Sequence, residues 1–129
     1  MVQSLTGAIQ SEVREVDFDL QIQPFFWVEH DSGQASLCLS AGRYLPELFA
    51  SRAEEGFVGN GYDWAPLAQV FLTERMPNLT DLVQFDPEAG MFTAYSDNRE
   101  ALRRFALAFK DACEDDKLIA DLFSRAELD

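Results

Sequence analysis

Basic residues, cysteine and histidine are scarce in this chain, and acids are in large excess. The 129 residues include 10 Lys and Arg against 23 Asp and Glu, a formal net charge of −13. The acids are spread evenly, with 10 acids and 3 bases in residues 1–64 and 13 acids and 7 bases in residues 65–129. Because phosphates repel a surface of their own sign, neither nucleic acids nor anionic membranes are expected partners, whereas a basic partner would be attracted.

Long apolar runs and a leader-like start are also lacking. No run approaches the roughly 18 apolar residues of a membrane-spanning helix, so a spanning protein is not expected. The first residues, MVQSLTG, show neither the basic nor the apolar region of a secretory signal. The sequence therefore predicts a cytoplasmic protein.

The scarce cysteine and histidine limit the chemistry that the chain can perform. Cys38 and Cys113 form no C-x-x-C pair, which argues against zinc and thioredoxin-type sites. Both lie in apolar surroundings that favour buried, reduced thiols, although a bridge between them stays open. A Ser-His-Asp hydrolase would need His30, the only histidine, but its Glu-His-Asp-Ser-Gly context is more typical of a turn.

What the chain does contain is enough apolar sequence for one folded unit. Apolar residues make up 47%, and the aromatic residues are 11 Phe, 3 Tyr and 2 Trp. The length fits a single domain over residues 1–129. Six aromatic residues stand at periodic apolar positions and are predicted to lie in the core: Phe25, Phe26, Trp27, Phe71, Phe105 and Phe109.

Alternating apolar and polar residues predict the strands. Residues 16–22 alternate strictly, which is typical of a strand with one buried face. Residues 25–30 and 34–40 flank an Asp-Ser-Gly turn and predict a hairpin, and residues 82–86 and 91–96 predict a second one.

Helical spacing follows each hairpin. A first helix is predicted over 44–55 and ends at Gly56, and Asp63 is the predicted N-cap of the next. Asp97 is the predicted cap of a long amphipathic helix, which breaks near 115–116 before a last short helix. Hairpins alternating with helix pairs predict an α+β fold, an antiparallel sheet built from hairpins with helices packed on one face.

The segment most suggestive of a ligand site is GNGYDW, residues 59–64. Glycines at a helix start can cradle phosphate through backbone N–H groups. However, the segment has no neighbouring lysine and matches neither the P-loop nor the G-x-G-x-x-G pattern. The favoured interpretation is a tight turn and a helix cap, with Trp64 anchoring the helix in the core.

Acidic pairs are the other possible source of chemistry. Glu54 and Glu55, Asp86 and Glu88, and the two aspartates at 115–116 are neighbours in sequence, which does not establish the cleft geometry that a glycosidase requires. Turns, caps and solvated faces explain them better, and no calcium-loop pattern is present. We therefore expect no catalytic residue, no metal site and no cofactor.

Four strings give the chain a family resemblance: 27–33 (WVEHDSG), 55–64 (EGFVGNGYDW), 85–92 (FDPEAGMF) and 124–127 (SRAE). Together they resemble the immunity protein 51 family, from about Phe25 to the end of the chain. The GNGYDW segment and the Phe-Asp-Pro-Glu turn are the most specific parts. The family consists of predicted antitoxins of bacterial polymorphic toxin systems.

The resemblance implies a cytoplasmic α+β protein that binds and neutralises a toxin domain without turnover. The acidic charge favours a basic toxin. The residues predicted to contact it are exposed acids and polar or aromatic side chains around loops: Glu54, Glu55, Asn60, Tyr62, Asp86 and Glu88.

Two other classes of function remain open from the residues. One is an adaptor or chaperone for a secreted effector, which a secretion-loading phenotype would favour. The other is a small carboxylate-dependent enzyme, which predicts a deep pocket that holds two carboxyl groups. The oligomeric state is left open.

Overall fold

A computed structural model describes residues 17–128 and confirms the α+β class. Its strands are β1 (Phe26–Glu29), β2 (Ala35–Ser40), β3 (Gln84–Phe85) and β4 (Met91–Ser96). Its helices are α1 (17–22 within the described range), α2 (Pro46–Ala50), α3 (Gly61–Arg75), α4 (Arg99–Glu114) and α5 (Asp116–Phe123). Short 3-10 turns occupy Ala53–Glu55 and Pro77–Leu79. Among the described helices, none combines the length and apolarity required to cross a bilayer.

The four strands form one antiparallel sheet in the order β1-β2-β4-β3. Both predicted hairpins are confirmed, β1 with β2 and β3 with β4, and the long central strands β2 and β4 pair with each other. Leu37 lies opposite Ala94 and Leu39 opposite Phe92, and all four are buried beneath the helices. The helices therefore cover one face of the sheet, as predicted.

The strand predicted over 16–22 is wrong where the structure describes it, because residues 17–22 are helical. Phe18 and Ile22 are buried, whereas Leu20 between them is 60% exposed. A strand would have placed all three on one face, while a helix aligns only positions four apart. Residue 16 lies outside the described range.

Two predicted helix starts are wrong by a few residues. The N-cap of α3 is Asn60, whose side-chain oxygen accepts from the Asp63 amide at 2.9 Å. The N-cap of α4 is Asn98, while the Asp97 carboxylate instead accepts from the Gln34 side chain. Asn and Asp are similarly good caps, so the sequence alone did not distinguish these neighbours.

The helix predicted over 44–55 is shorter and interrupted. It forms α2 and the 3-10 turn Ala53–Glu55, separated by two residues. Gly56 ends the turn with a φ of 110°, as its identity predicted. The predicted break near 115–116 is also confirmed, with Asp115 capping α5 through a 3.1 Å bond from the Leu118 amide.

Aromatic rings fill the space between the sheet and the helices. Trp64 is fully buried, and its ring contacts those of Phe25, Phe49 and Phe109 at centroid distances of 5.1–6.1 Å. The prediction that Phe26 lies in the core is wrong, because it is 40% exposed on the face of the sheet away from the helices described above. Neighbouring residues of a strand point to opposite faces, so Phe25, Phe26 and Trp27 could not all enter one core.

The two cysteines are free thiols and do not pair. Cys113 is inaccessible in the helical core, and Cys38 is 6% exposed on the sheet. Burial raises the pKa of both thiols, so neither has the thiolate character that nucleophilic or redox chemistry requires.

The C-terminal segment is held by two arginines. Arg52 pairs with Glu55 and donates to the backbone carbonyl of Ala126 at 2.8 Å. Arg125 donates to Glu74 of α3 at 2.7 and 2.8 Å and to Asp121 of α5 at 2.8 and 3.1 Å. These contacts fasten the chain end to α3 and to the residues before Gly56.

The Arg125 network predicts a specific acid sensitivity. Its hydrogen bonds lower the pKa of both Glu74 and Asp121 in the folded state. Their contribution is therefore complete above the unfolded pKa values of about 4, and it is lost as the pH falls through the folded values. In Arg125→Ala we expect a lower urea midpoint than wild type at pH 7, and a difference that shrinks below about pH 4.

The matched control is Arg104→Ala, which removes an exposed arginine 3.5 Å from Glu100 within α4 alone. We expect its urea midpoint to follow that of the wild type across the same pH range. If Arg125→Ala lowers the urea midpoint by the same amount at pH 7 and at pH 3, the electrostatic explanation is contradicted.

Candidate functional site

Two segments far apart in the sequence meet at the start of α3. The Gly61 amide donates to the Ala89 carbonyl at 3.0 Å. A Cβ atom at Gly61 would lie 1.9 Å from the Glu88 carbonyl oxygen and 2.4 Å from that of Met91. The GNGYDW segment therefore packs directly on the Phe-Asp-Pro-Glu turn, and only glycine permits this approach.

Asp63 organises the glycine loop from inside. It is 4% exposed, and one carboxylate oxygen accepts from the amides of Val58 at 2.6 Å and Gly59 at 2.8 Å. A phosphate cradle would need such amides to be free. Because these two are already bound to a carboxylate, the structure supports the interpretation of the loop as a turn.

Four of the six predicted contact residues lie around this junction. Tyr62 is 49% exposed beside Gly61. Asp86 and Glu88 are exposed, and their amides donate to Thr93 and Met91 of β4 at 2.9 and 2.8 Å. Asn60 is half-buried, and its side-chain oxygen is used by the α3 cap.

Glu54 and Glu55 have different surroundings, in the 3-10 turn that precedes Gly56. Glu54 is exposed. The Glu55 carboxylate accepts two hydrogen bonds from Arg52, at 2.6 and 2.7 Å, and these lower its pKa. Glu55 thus has a structural partner that helps to hold the C-terminal segment.

The sequence analysis did not predict several apolar residues that the structure exposes. Val58 in the glycine loop is 72% exposed, and Phe26 and Val28 of β1 are 40% and 36% exposed. Their signal in the sequence was weak, because FWVE is apolar at three consecutive positions and does not show which face is covered.

Two surface concavities formed by described residues, each about 370 Å³, lie beside α3 and between α3 and α4. The second is bordered by Asp111 and Asp115, but both side chains are exposed, and Asp115 caps α5. Within residues 17–128 no three His, Cys, Asp or Glu side chains are grouped as metal ligands would be.

The comparison with protein families decides the assignment. A model of the family described as immunity protein 51 matches residues 25–128. The chain belongs to the immunity protein 51 family. The matched range includes all four strings that carried the resemblance. No curated protein and no solved structure matches this immunity protein significantly.

The contact at Gly61 joins the two strings that most specifically resemble the family. In this immunity protein they are GNGYDW and FDPE. Their glycine and Asp63 serve the fold, whereas Tyr62, Asp86 and Glu88 beside the same junction are exposed.

Proposed function

We propose that this immunity protein binds and neutralises a cognate bacterial polymorphic toxin domain by protein–protein inhibition, without turnover. The observation that carries the proposal is the family match over residues 25–128. The exposed acids around the α3 junction support it, because they offer a polar surface to a partner. A cytoplasmic protein without a cofactor fits this role.

Charge supports a basic toxin as the partner. The net charge of −13 would accelerate the encounter with a cationic domain and disfavour nucleic acids and anionic membranes. A standard interface buries about 800 Å² on each partner. This is about a tenth of the 7859 Å² that the protein exposes, so one side of the molecule is sufficient.

The proposed contact set is Glu54, Glu55, Asn60, Tyr62, Asp86 and Glu88. Tyr62 is the expected anchor, since tyrosine is enriched among residues that dominate interface energies. Asp86 and Glu88 would pair with basic side chains of the toxin. Substitution of Asn60 or Glu55 would also disturb the fold, because the first caps α3 and the second holds Arg52.

The test uses as its candidate toxin the product of the gene that adjoins this one in the native genome, after its expression has been shown to stop cell growth, with growth rescue and affinity as readouts. We expect the wild-type protein to restore growth of cells that express the toxin. Tyr62→Ala, Asp86→Ala and Glu88→Ala should each raise the Kd, by about tenfold for Tyr62→Ala and less for the two acids. Asp19→Ala removes an exposed acid from α1 and is the matched control.

Salt dependence separates electrostatic attraction from simple contact. The association rate constant should fall between about 50 and 500 mM salt, because screening shortens the range of the acidic field. Failure of the wild-type protein to bind or protect would contradict the proposed function. A rate that is flat with salt would contradict only the electrostatic part.

A further inference from the structure

The sheet has an outer face that none of the described helices covers. Register places Phe26 opposite Cys38, Val28 opposite Ser36, and Gln84 opposite Tyr95 on this face. The remaining positions are Ser40, Met91 and Thr93. Within the described strands, no residue on this face is charged, although charged residues make up 26% of the chain.

The apolar side chains of this face are accessible. Phe26 and Val28 of β1 are 40% and 36% exposed, and Met91 and Tyr95 of β4 are half-buried. The rings of the described helices pack on the other side of the sheet, where Phe18 of α1 meets Trp27 at 5.3 Å. Ser36 and Cys38 of β2 are only 7% and 6% exposed, so the accessible apolar surface lies along β1 and β4. Exposed apolar side chains on a face without charge, in a strongly acidic protein, are typical of a binding site.

Acids border the patch at the β3 edge. The β3–β4 register continues beyond β3, with the Asp86 amide bonded to Thr93 and Glu88 bridged to Met91. Thr93 and Met91 belong to the outer face, so this pairing places Asp86 and Glu88 beside that face. An apolar centre with a charged border is the usual arrangement of a protein interface.

The size of the face shows how far the contact must extend. Strands of six residues are about 20 Å long and four strands span about 14 Å, so the face covers about 300 Å² in projection. A standard interface requires about 800 Å² on each side. A contact of standard size therefore extends beyond the sheet, and the proposed contact set places its continuation at the β3 edge, over Asp86 and Glu88.

We infer that the outer face of the sheet is the apolar centre of the toxin-binding surface, with Asp86 and Glu88 as its acidic border. This inference rests on the proposed function and names the occupant as a toxin domain with an apolar patch flanked by basic side chains. Charge complementarity favours this occupant over a second copy, since two copies would each bring a charge of −13 and the same acidic border.

The test measures the Kd of the toxin domain encoded beside this gene for variants of the outer face. Val28→Glu introduces a charge that the bound toxin would bury in the proposed apolar centre. Phe26→Ser removes an exposed aromatic ring and keeps the net charge. We expect each to raise the Kd at least tenfold. The control is Leu20→Glu in α1, which adds the same charge at a residue that is 60% exposed and should stay within about twofold.

Circular dichroism and the melting temperature identify any variant that fails to fold, and Phe26→Ser is the milder of the two substitutions. Unchanged affinity in both folded variants, with a loss in Tyr62→Ala, would overturn the assignment of this face and leave the proposed function standing. A wild-type protein that neither binds nor protects would overturn both. A wild-type dimer in light scattering that Val28→Glu converts to monomers would assign the face to self-association and overturn the inference.

Discussion

Gly61→Ala is expected to destabilise the fold by about 3 kcal/mol or more, the largest effect of any single methyl group that we foresee in this protein. The new Cβ would lie 1.9 Å from the Glu88 carbonyl oxygen and 2.4 Å from that of Met91. Both are backbone atoms, so neither can rotate away as a flexible side chain would. The start of α3 must separate from the β3–β4 turn or the turn must distort.

The measurement is urea unfolding followed by far-UV circular dichroism, with a melting temperature about 10 °C below that of the wild type as the second readout. Gly90→Ala is the control, because it adds the same methyl group in the adjoining turn, where no atom lies within 4 Å of the new Cβ. A Gly61→Ala protein as stable as Gly90→Ala would show that the two segments are not held together as described.

Asp63→Ala is expected to cost about 2–3 kcal/mol, since its carboxylate accepts two backbone hydrogen bonds out of contact with water. The variant leaves the Gly59 amide buried without its acceptor. The free energy of unfolding of Asp63→Asn should lie between those of the wild type and Asp63→Ala, because the asparagine side chain keeps one acceptor oxygen but carries no charge. Amide hydrogen exchange should accelerate at Val58 and Gly59 before it does in the rest of the protein.

Asp86→Ala provides the comparison for this substitution. Its side chain is exposed beside the sheet, so the same chemical change should alter the free energy of unfolding by less than about 0.5 kcal/mol. Equal losses in Asp63→Ala and Asp86→Ala would contradict a structural role that is particular to the buried carboxylate.

The two motif acids, Asp63 and Asp86, separate stability from binding. Asp63 is predicted to affect unfolding strongly, and Asp86 is predicted to affect toxin affinity with little change in stability. Measured together, the two variants show whether the geometry of the junction and its proposed contacts depend on different residues of the same short strings.

Much of the fold followed from local patterns. The first hairpin was predictable because Asp31, Ser32 and Gly33 favour a turn between two β-rich runs, and α4 because its apolar residues recur at helical spacing. The errors occurred where local signals are equivalent. Phe18 and Ile22 fit a strand or a helix, and Asn60 and Asp63 are both competent N-caps.

The candidate site was predictable only in part. The exposure of Tyr62, Asp86 and Glu88 was predictable because polar and aromatic residues in turns usually face solvent, whereas their role as contacts stays a prediction. Phe26 was placed in the core, since no local pattern reports whether a second layer covers a sheet. Phe26 is 40% exposed because the helices within residues 17–128 pack against the other face of the sheet.

Composition and periodicity alone established an acidic α+β protein with two hairpins, an amphipathic α4 and few residues suited to catalysis. These properties depend on neighbours within a few positions of each other, which interact in the same way in any fold. Only the tertiary structure showed that residues 59–63 pack against residues 86–90 and that the described helices leave one face of the sheet uncovered. Contacts of this kind join segments distant in the chain, so they depend on strand order and on how closely two backbones approach, here to a distance that excludes even one Cβ atom.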